Sequence, residues 1–127
     1  MAKFQCQFDT EHPVLFLYDP AFAEVTPPDL RDPLAAITEK GISFCVLPYV
    51  DGASEVTISD KDCDRGGTLY ASGMVTAPSG VLALTDSASF RYINIPVPKG
   101  SQAVEVWADS KTNPDWVWIK LHSIRQY

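Results

Sequence analysis

Long apolar runs are missing from this sequence, and its cysteines are few and irregularly spaced. No stretch approaches the ~20 apolar residues that a membrane-spanning helix needs, so no transmembrane segment is predicted. Residues 1–7 lack the apolar core of a secretory signal, and we expect a cytoplasmic protein. The cysteines, Cys6, Cys45 and Cys63, are odd in number and lack metal-site spacing, which favours reduced thiols.

Catalytic sequence motifs are also missing. The chain contains no phosphate-binding glycine loop, no GxSxG, no HExxH and no CxxC. Neither His12 nor His122 lies in a recognisable catalytic motif, which disfavours a histidine base or a cysteine nucleophile. Carboxylates are plentiful, so an acid–base pair is not excluded by the sequence alone. We expect a protein that is not an enzyme and that uses no cofactor.

Basic residues are scarce in the first half of the chain, where acidic residues are concentrated. Residues 9–64 contain twelve acidic side chains and three basic ones, a net charge of −9. The rest contains four acidic and seven basic ones, a net charge of +3, and the whole chain carries −6. Such a field favours a basic partner and repels nucleic acid and anionic membranes. A solvated surface is the simpler interpretation. Nucleases are a natural target class, because their substrate groove must be cationic.

Most of the chain follows a hydrophobic period of two. The 127 residues, 46% of them hydrophobic, have the size of one domain and can bury a core. Strands are predicted at residues 13–18, 42–47, 55–59, 68–77, 81–85, 92–97, 103–109 and 116–124. The spacing indicates a single domain over residues 1–127. Its predicted fold is an antiparallel β-sandwich of about eight short strands, with a flattened barrel as the related alternative.

One short α-helix is predicted near residues 33–40. Asp32 is a suitable N-cap, Pro33 occupies the first helical position and Gly41 is a plausible stop. Leu34 and Ile37 would form a short apolar stripe on this helix.

Prolines and glycines predict two further features of the strands. The turn Pro-Ser-Gly at residues 78–80 is a hairpin signal between the flanking strands. Pro96 and Pro98 indicate that the strand at 92–97 lies at a sheet edge or ends there, because proline cannot donate a ladder hydrogen bond.

The last two strands can be aligned from their side chains alone. Opposed residues of an antiparallel pair point to the same face, so pairing Trp107 with Trp118 determines the remaining pairs. The apolar face then holds Val104 with Leu121, Val106 with Ile119, and Ala108 with Val117; the polar face holds Glu105 with Lys120 and Asp109 with Trp116. We predict this register, with an ion pair between Glu105 and Lys120, because a one-residue slip would break the apolar set.

This register places three tryptophans, Trp107, Trp116 and Trp118, on the polar face. One interpretation is that a second layer, such as the 33–40 helix or the Pro-rich loop, covers them. The second is a protein–protein contact surface, for which grouped exposed tryptophans are typical. The third is a platform for sugar rings. Asp109 and Glu105 beside the rings would suit a basic partner or sugar hydroxyls.

Alternating aspartates at residues 60–64 resemble the start of a calcium loop. Asp60, Asp62 and Asp64 have the spacing of the first three ligands. The sixth position is Arg65 rather than glycine, and the twelfth is Ala71 rather than glutamate. We therefore interpret the segment as a solvated turn, with these aspartates as weak candidates for a cation site. No metal is expected otherwise.

Three segments resemble the competence protein J family of bacteria. They read ITEKGISF (residues 37–44), IPVPKG (95–100) and VEVW (104–107), and the order of predicted elements over residues 34–124 also matches. The resemblance implies a small cytoplasmic protein that binds and inhibits a partner DNA-entry nuclease. It supplies no inhibitory residue, and residues 12–33 depart from the family pattern.

These observations favour an acidic, non-catalytic protein that inhibits a basic protein partner, such as a nuclease or a toxin. The predicted binding residues are Trp107, Trp116, Trp118, Asp109 and Glu105. The alternative is a carbohydrate- or small-ligand-binding β-sandwich with an exposed tryptophan platform. A third hypothesis is an assembly protein that oligomerises through the tryptophan face.

Overall fold

The described part of the chain builds two β-sheets. The structure is a computed structural model, and it describes residues 3–8, 14–21, 35–45, 54–63, 66–86, 91–109 and 116–124. The strands are Lys3–Phe8 (β1), Val14–Tyr18 (β2), Ala35–Thr38 (β3), Gly41–Cys45 (β4), Ser54–Ser59 (β5), Thr68–Ala77 (β6), Val81–Asp86 (β7), Arg91–Pro96 (β8), Gly100–Ala108 (β9) and Trp116–Leu121 (β10). Within these ranges we find no helix, and hence none that could cross a membrane.

The two sheets have five strands each. The strand order is β1-β5-β10-β9-β6 in the first sheet and β3-β4-β2-β7-β8 in the second. Neighbouring strands run antiparallel, apart from β5 and β10, which are parallel. The predicted β-sandwich is confirmed, and β8, which carries Pro96, lies at an edge of its sheet as predicted.

The core lies between the apolar faces of the two sheets. Side chains alternate between the faces of a strand, so every second residue of the central strands points inward. Burying one such aliphatic side chain contributes roughly 1.5–3 kcal/mol. The fully buried set includes Val56, Ile58, Val104, Val106, Val117, Ile119 and Leu121 from the first sheet, and Leu15, Leu17, Ile42, Phe44, Leu82, Leu84 and Ile95 from the second.

The helix predicted near residues 33–40 is wrong over its described part. Residues 35–38 form β3, which pairs with β4 through Ala35 opposite Phe44 and Thr38 opposite Gly41. Glu39 and Lys40 form the two-residue turn between these strands. Ala35 is buried as part of the core. Pairing with β4 therefore overrides the local helix signals, whose energies are small beside those of sheet formation and burial.

The turn at residues 78–80 does not make a hairpin. Its flanking strands, β6 and β7, have the predicted extents, but β6 belongs to the first sheet and β7 to the second. Gly80 has a φ of 80°, and its carbonyl accepts a hydrogen bond from the Val97 amide at 2.9 Å. The positive φ favours glycine here, because a side chain would clash with the backbone. The turn therefore carries the chain from one layer of the sandwich to the other.

The two sheets meet along one side, where edge strands β3 and β6 are in contact. The Thr76 amide donates to the Glu39 carbonyl at 2.7 Å. A Cβ at Gly73 would lie 2.9 Å from Cγ2 of Ile37, so the absence of a side chain lets the strands approach. This junction protects the β6 edge of the first sheet.

A buried aspartate ties the end of β2 to the turn between β6 and β7. Asp19 is fully buried, and its carboxylate accepts three hydrogen bonds. Oδ1 accepts from the Ala21 amide at 2.7 Å and from the Ser79 hydroxyl at 2.6 Å, and Oδ2 accepts from the Ser79 amide at 2.7 Å. A buried charge is tolerated only when it is hydrogen-bonded in this way.

We expect Asp19→Asn to lower the free energy of unfolding by about 1.5–3 kcal/mol, because an amide nitrogen would then face a hydrogen-bond donor in a buried site. Ser79→Ala should cost less, since the backbone amide still donates. Thr38→Ala is a suitable control, because its hydroxyl accepts only an exposed 3.3 Å bond from the Lys40 amide. Urea denaturation of the three variants measures the differences. Equal losses for Asp19→Asn and Thr38→Ala would contradict this role.

Candidate functional site

The predicted register of the last two strands is confirmed. In the structure Trp107 lies opposite Trp118, and Glu105 lies opposite Lys120. The apolar pairs also form as predicted, between Val104 and Leu121, Val106 and Ile119, and Ala108 and Val117. Because the apolar pairs face the core, the tryptophans lie on the outer face of the first sheet.

The outer face holds the three tryptophans in different environments. Trp118 is buried, with 3% of its surface exposed, whereas Trp107 and Trp116 are half-buried. The Trp118 indole Nε1 donates to the Lys61 carbonyl at 3.1 Å. The segment after β5 therefore covers Trp118, a role that the sequence had suggested for a helix or the Pro-rich loop. Trp118 therefore lies beneath the covering segment, whereas Trp107 and Trp116 are partly exposed to solvent.

Trp107 is oriented by its neighbour on the same strand. Its indole Nε1 donates to Oε1 of Glu105 at 3.0 Å. Residues two apart on a strand share a face, so this bond holds the indole edge against β9 and places a carboxylate beside the ring. Both side chains are half-buried.

Trp116 packs over a glycine and beside an aspartate. Its amide donates to Oδ1 of Asp109 at 3.4 Å, and this bond links β10 to the end of β9. A Cβ at Gly67 would lie 2.8 Å from Cζ2 of the Trp116 ring and closer still to Cη2. The ring therefore occupies the space that a side chain at position 67 would need. Asp109 is exposed, so its charge lies at the solvent side of the ring.

The salt bridge of Lys120 differs from the predicted one. Its ammonium pairs with the carboxylate of Asp62, which is 87% exposed, rather than forming the expected bridge to Glu105 opposite it. The hydrogen bond that the Lys120 ammonium donates to Asp62 raises the pKa of Lys120 above its ordinary value; desolvation opposes this shift, and the charges of Asp62 and Glu105 add to it. Lys120 therefore stays protonated at neutral pH, and the pair helps to hold the segment that covers Trp118.

Two of the three candidate cation ligands, Asp60 and Asp62, lie in the described part of the chain, and the weak cation site at residues 60–64 stays a prediction. Asp62 is engaged by Lys120, Asp60 is half-buried, and Asp64 lies outside the described residues. In the part of the chain that the structure describes, no group of three His, Cys, Asp or Glu side chains is placed to hold a metal ion. Cys63, in the same segment, is a half-buried free thiol.

Carboxylates outnumber lysines around the tryptophans. Glu55 lies opposite Trp116 in the β5–β10 pairing, next to a half-buried ring. Among the residues of the face and its covering segment whose side chains the structure describes, the acidic ones are Glu55, Asp60, Asp62, Glu105 and Asp109, and the basic ones are Lys61 and Lys120. These five carboxylates and two ammonium groups give a local net charge of −3. Such a field attracts cationic groups toward the rings.

Two exposed apolar residues also lie on the outer face, and the sequence analysis does not predict the exposure of either. Leu69 is 42% exposed and lies opposite Trp107, and Met74 is 52% exposed and lies opposite Ala103. Met74 could have been found, because in a regular strand it would alternate with the inward-facing Val75. The exposure of Leu69 could not have been predicted from the sequence, because its position depends on a register shift in β6.

A sugar-binding platform finds little support in this geometry. That alternative needs Trp107 and Trp118 exposed side by side, so that successive sugar rings can stack on them. Trp118 is covered and its indole N–H is bonded to the Lys61 carbonyl. At this pair only Trp107, which is half-buried, is left to stack on a sugar ring.

Comparison with known proteins gives likenesses of structure only. No family model matches the chain, and no curated protein matches its sequence. Two solved structures are similar over nearly their whole length. The product of crocagin biosynthetic gene J is 11% identical with a TM-score of 0.57, and the alignment covers 95% of this chain and 97% of that one.

The other solved structure is ComJ from Bacillus subtilis, an inhibitor of the DNA-degrading activity of NucA. It is 12% identical with a TM-score of 0.64, and the alignment covers 93% of each chain. The resemblance to the competence protein J family is thereby confirmed at the level of the fold. The chain adopts the ComJ-like β-sandwich fold.

Proposed function

We propose that this protein is a non-catalytic inhibitor of a basic protein partner, a nuclease or a related toxin. The observation that carries the proposal is the full-length structural likeness to ComJ, whose described role is to inhibit a DNA-degrading enzyme. At 12% identity this likeness concerns the fold, so the argument for function also needs the surface of the chain itself.

The charge of the outer face supports a cationic target. A nuclease must carry a basic groove to hold the phosphates of its substrate. An acidic protein can enter that groove by charge complementarity and exclude DNA. The face carries Glu105 and Asp109 beside half-buried tryptophans, within a local net charge of −3 from five carboxylates and two lysines. Direct nucleic-acid binding would require the opposite sign.

The aromatic centre of the face supports a specific contact rather than diffuse attraction. Interface energy concentrates in a few aromatic residues that a polar rim surrounds. Trp107 and Trp116 are the partly exposed tryptophans of the face, Glu105 and Asp109 lie beside them, and Trp118 is held in place by its hydrogen bond to the Lys61 carbonyl. A rigid surface binds with a smaller loss of conformational entropy.

We expect affinity capture from a lysate of the source cells to retain a basic, DNA-degrading protein at low salt. Adding the free protein in excess should suppress that DNA degradation, because inhibitor and substrate compete for one groove. The association rate constant should fall steeply between low and high salt as the charges are screened. Stopped-flow fluorescence and a DNA-degradation assay provide the measurements. A captured partner whose nuclease activity is unchanged by the protein would contradict inhibition.

We expect Asp109→Asn to slow association with the captured partner by more than Glu39→Gln does. The two variants each remove one exposed carboxylate, but Asp109 lies on the face and Glu39 lies in the β3–β4 turn, beside the other end of β6. Each should leave the melting temperature nearly unchanged, since exposed charges contribute little to stability. Equal slowing by both variants would mean that only net charge matters, and would remove Asp109 from the site.

We expect a panel of soluble glycans to leave the tryptophan fluorescence of the protein unchanged. The reason is that Trp118 is covered and cannot provide the second stacking surface. A saturable change with one glycan, abolished in Trp107→Ala, would instead support the carbohydrate-binding alternative.

A further inference from the structure

A β-bulge in β6 decides which side chain lies beside Trp107. Leu69 pairs with Trp107, whereas Ala71 pairs with Val106, so two residues of β6 oppose one residue of β9 at this point. Tyr70 and Ala71 both pack against the core. The extra residue shifts the phase of the strand, and everything before the bulge points to the opposite face.

The bulge turns Leu69 from the core to the surface. In a regular strand Leu69 would share its face with Ala71 and Val75, which point inward. With the bulge it lies on the outer face and is 42% exposed. An exposed leucine adds no buried apolar area to the core. Bulges often serve to reorient a side chain at a functional site.

The surroundings of Leu69 combine an apolar centre with negative charge. Trp107 lies directly opposite, and Glu105 follows two residues away on β9 with its carboxylate on the indole N–H. Trp116 and the exposed Asp109 lie at the same end of the face. An aliphatic group, two indole rings and two carboxylates therefore share one patch, which we call the Leu69 patch.

The chemistry of the Leu69 patch matches arginine better than lysine. A guanidinium is planar, stacks on aromatic rings and donates bidentate hydrogen bonds to a carboxylate, and it is more weakly hydrated than an ammonium. Its methylene stem can pack on an aliphatic side chain such as Leu69. A lysine ammonium would satisfy the charge but could not stack as a plane.

A second copy of this chain suits the patch poorly. Two identical patches placed face to face would bring Glu105 and Asp109 of one chain against those of the other, without cations of the patch to balance them. Like charges across an interface disfavour association.

We propose that the Leu69 patch is the docking site for an arginine side chain on a basic protein partner. Leu69 and Trp107 hold the stem and plane of that side chain, Glu105 beside the ring binds its guanidinium, and Asp109 adds negative charge to the patch. This inference rests on the proposed function for the identity of the partner, but not for the chemistry of the patch.

The test compares nonamer peptides of arginine and of lysine, which carry equal side-chain charge. Their binding to the intact protein at low salt is followed by tryptophan fluorescence. We expect the arginine peptide to bind about two- to fivefold more tightly, the size of effect that cation stacking on an exposed ring produces. Trp107→Ala should abolish this preference, because only a guanidinium stacks on the ring. Leu69→Ser should weaken the binding of both peptides, because both methylene stems can pack on Leu69.

Met74→Ser is the matched control. Met74 is also apolar, exposed and on the outer face of β6, but it lies opposite Ala103 rather than Trp107. This variant should bind both peptides as tightly as the unmodified protein, and circular dichroism should confirm the fold of both variants. Equal binding of the two peptides, a preference that survives Trp107→Ala, or a loss of affinity in Met74→Ser equal to that in Leu69→Ser would each overturn the proposal. Dimerisation of the protein that Leu69→Ser abolishes would also overturn it, by assigning the patch to a second copy.

The outcomes separate this inference from the proposed function. Inhibition of a captured nuclease without any preference for arginine would keep the proposed function and reject the arginine site. A preference for arginine that Trp107→Ala abolishes, in a protein that inhibits no nuclease, would keep the site and reject the function.

Discussion

The burial of one face of β10 is the constraint on which the candidate site depends. This strand lies at the centre of the first sheet, and its inward residues, with Ile119 in the middle, are fully buried. Because side chains alternate along a strand, burying that set places Trp116 and Trp118 on the outer face. The same alternation in β9 brings Trp107 opposite Trp118. The aromatic face is thus a direct consequence of how the core is built.

Polar contacts then give the outer face its shape. The indole of Trp107 is bonded to Glu105, that of Trp118 to the Lys61 carbonyl, and Lys120 to Asp62. Two of these three contacts join β10 to the segment that follows β5. The segment that covers Trp118 is therefore bound to β10 at two points. The result separates two roles: a covered tryptophan that stiffens the sheet, and half-buried ones beside carboxylates at the surface. Attraction of a cationic partner and its specific contact can therefore occur on the same surface.

The sequence was informative wherever a pattern depends on neighbours along one strand or across one hairpin. The extent of β6, the start of β10, the edge position of β8 and the register of the last hairpin follow from period two, proline chemistry and cross-strand pairing. β1 was missed, although Phe4, Cys6 and Phe8 alternate there with polar residues. The local signals near residues 33–40 predict a helix where the structure has β3, because a strand of four residues with two alanines has little pattern of its own. The tryptophan, glutamate and aspartate roles in binding remain predictions.

The β class, the pairing of Trp107 with Trp118 and the acidic character of the chain can be read from the amino-acid sequence, because each depends on composition or on local alternation. Tertiary structure alone decided that the turn at residues 78–80 crosses between the sheets, that Lys120 pairs with Asp62, and that Leu69 turns outward at a bulge. Each of these depends on strands or side chains that are distant in the chain, and their contacts form only when the two sheets pack. A local sequence pattern does not indicate which distant strand or side chain a residue will contact.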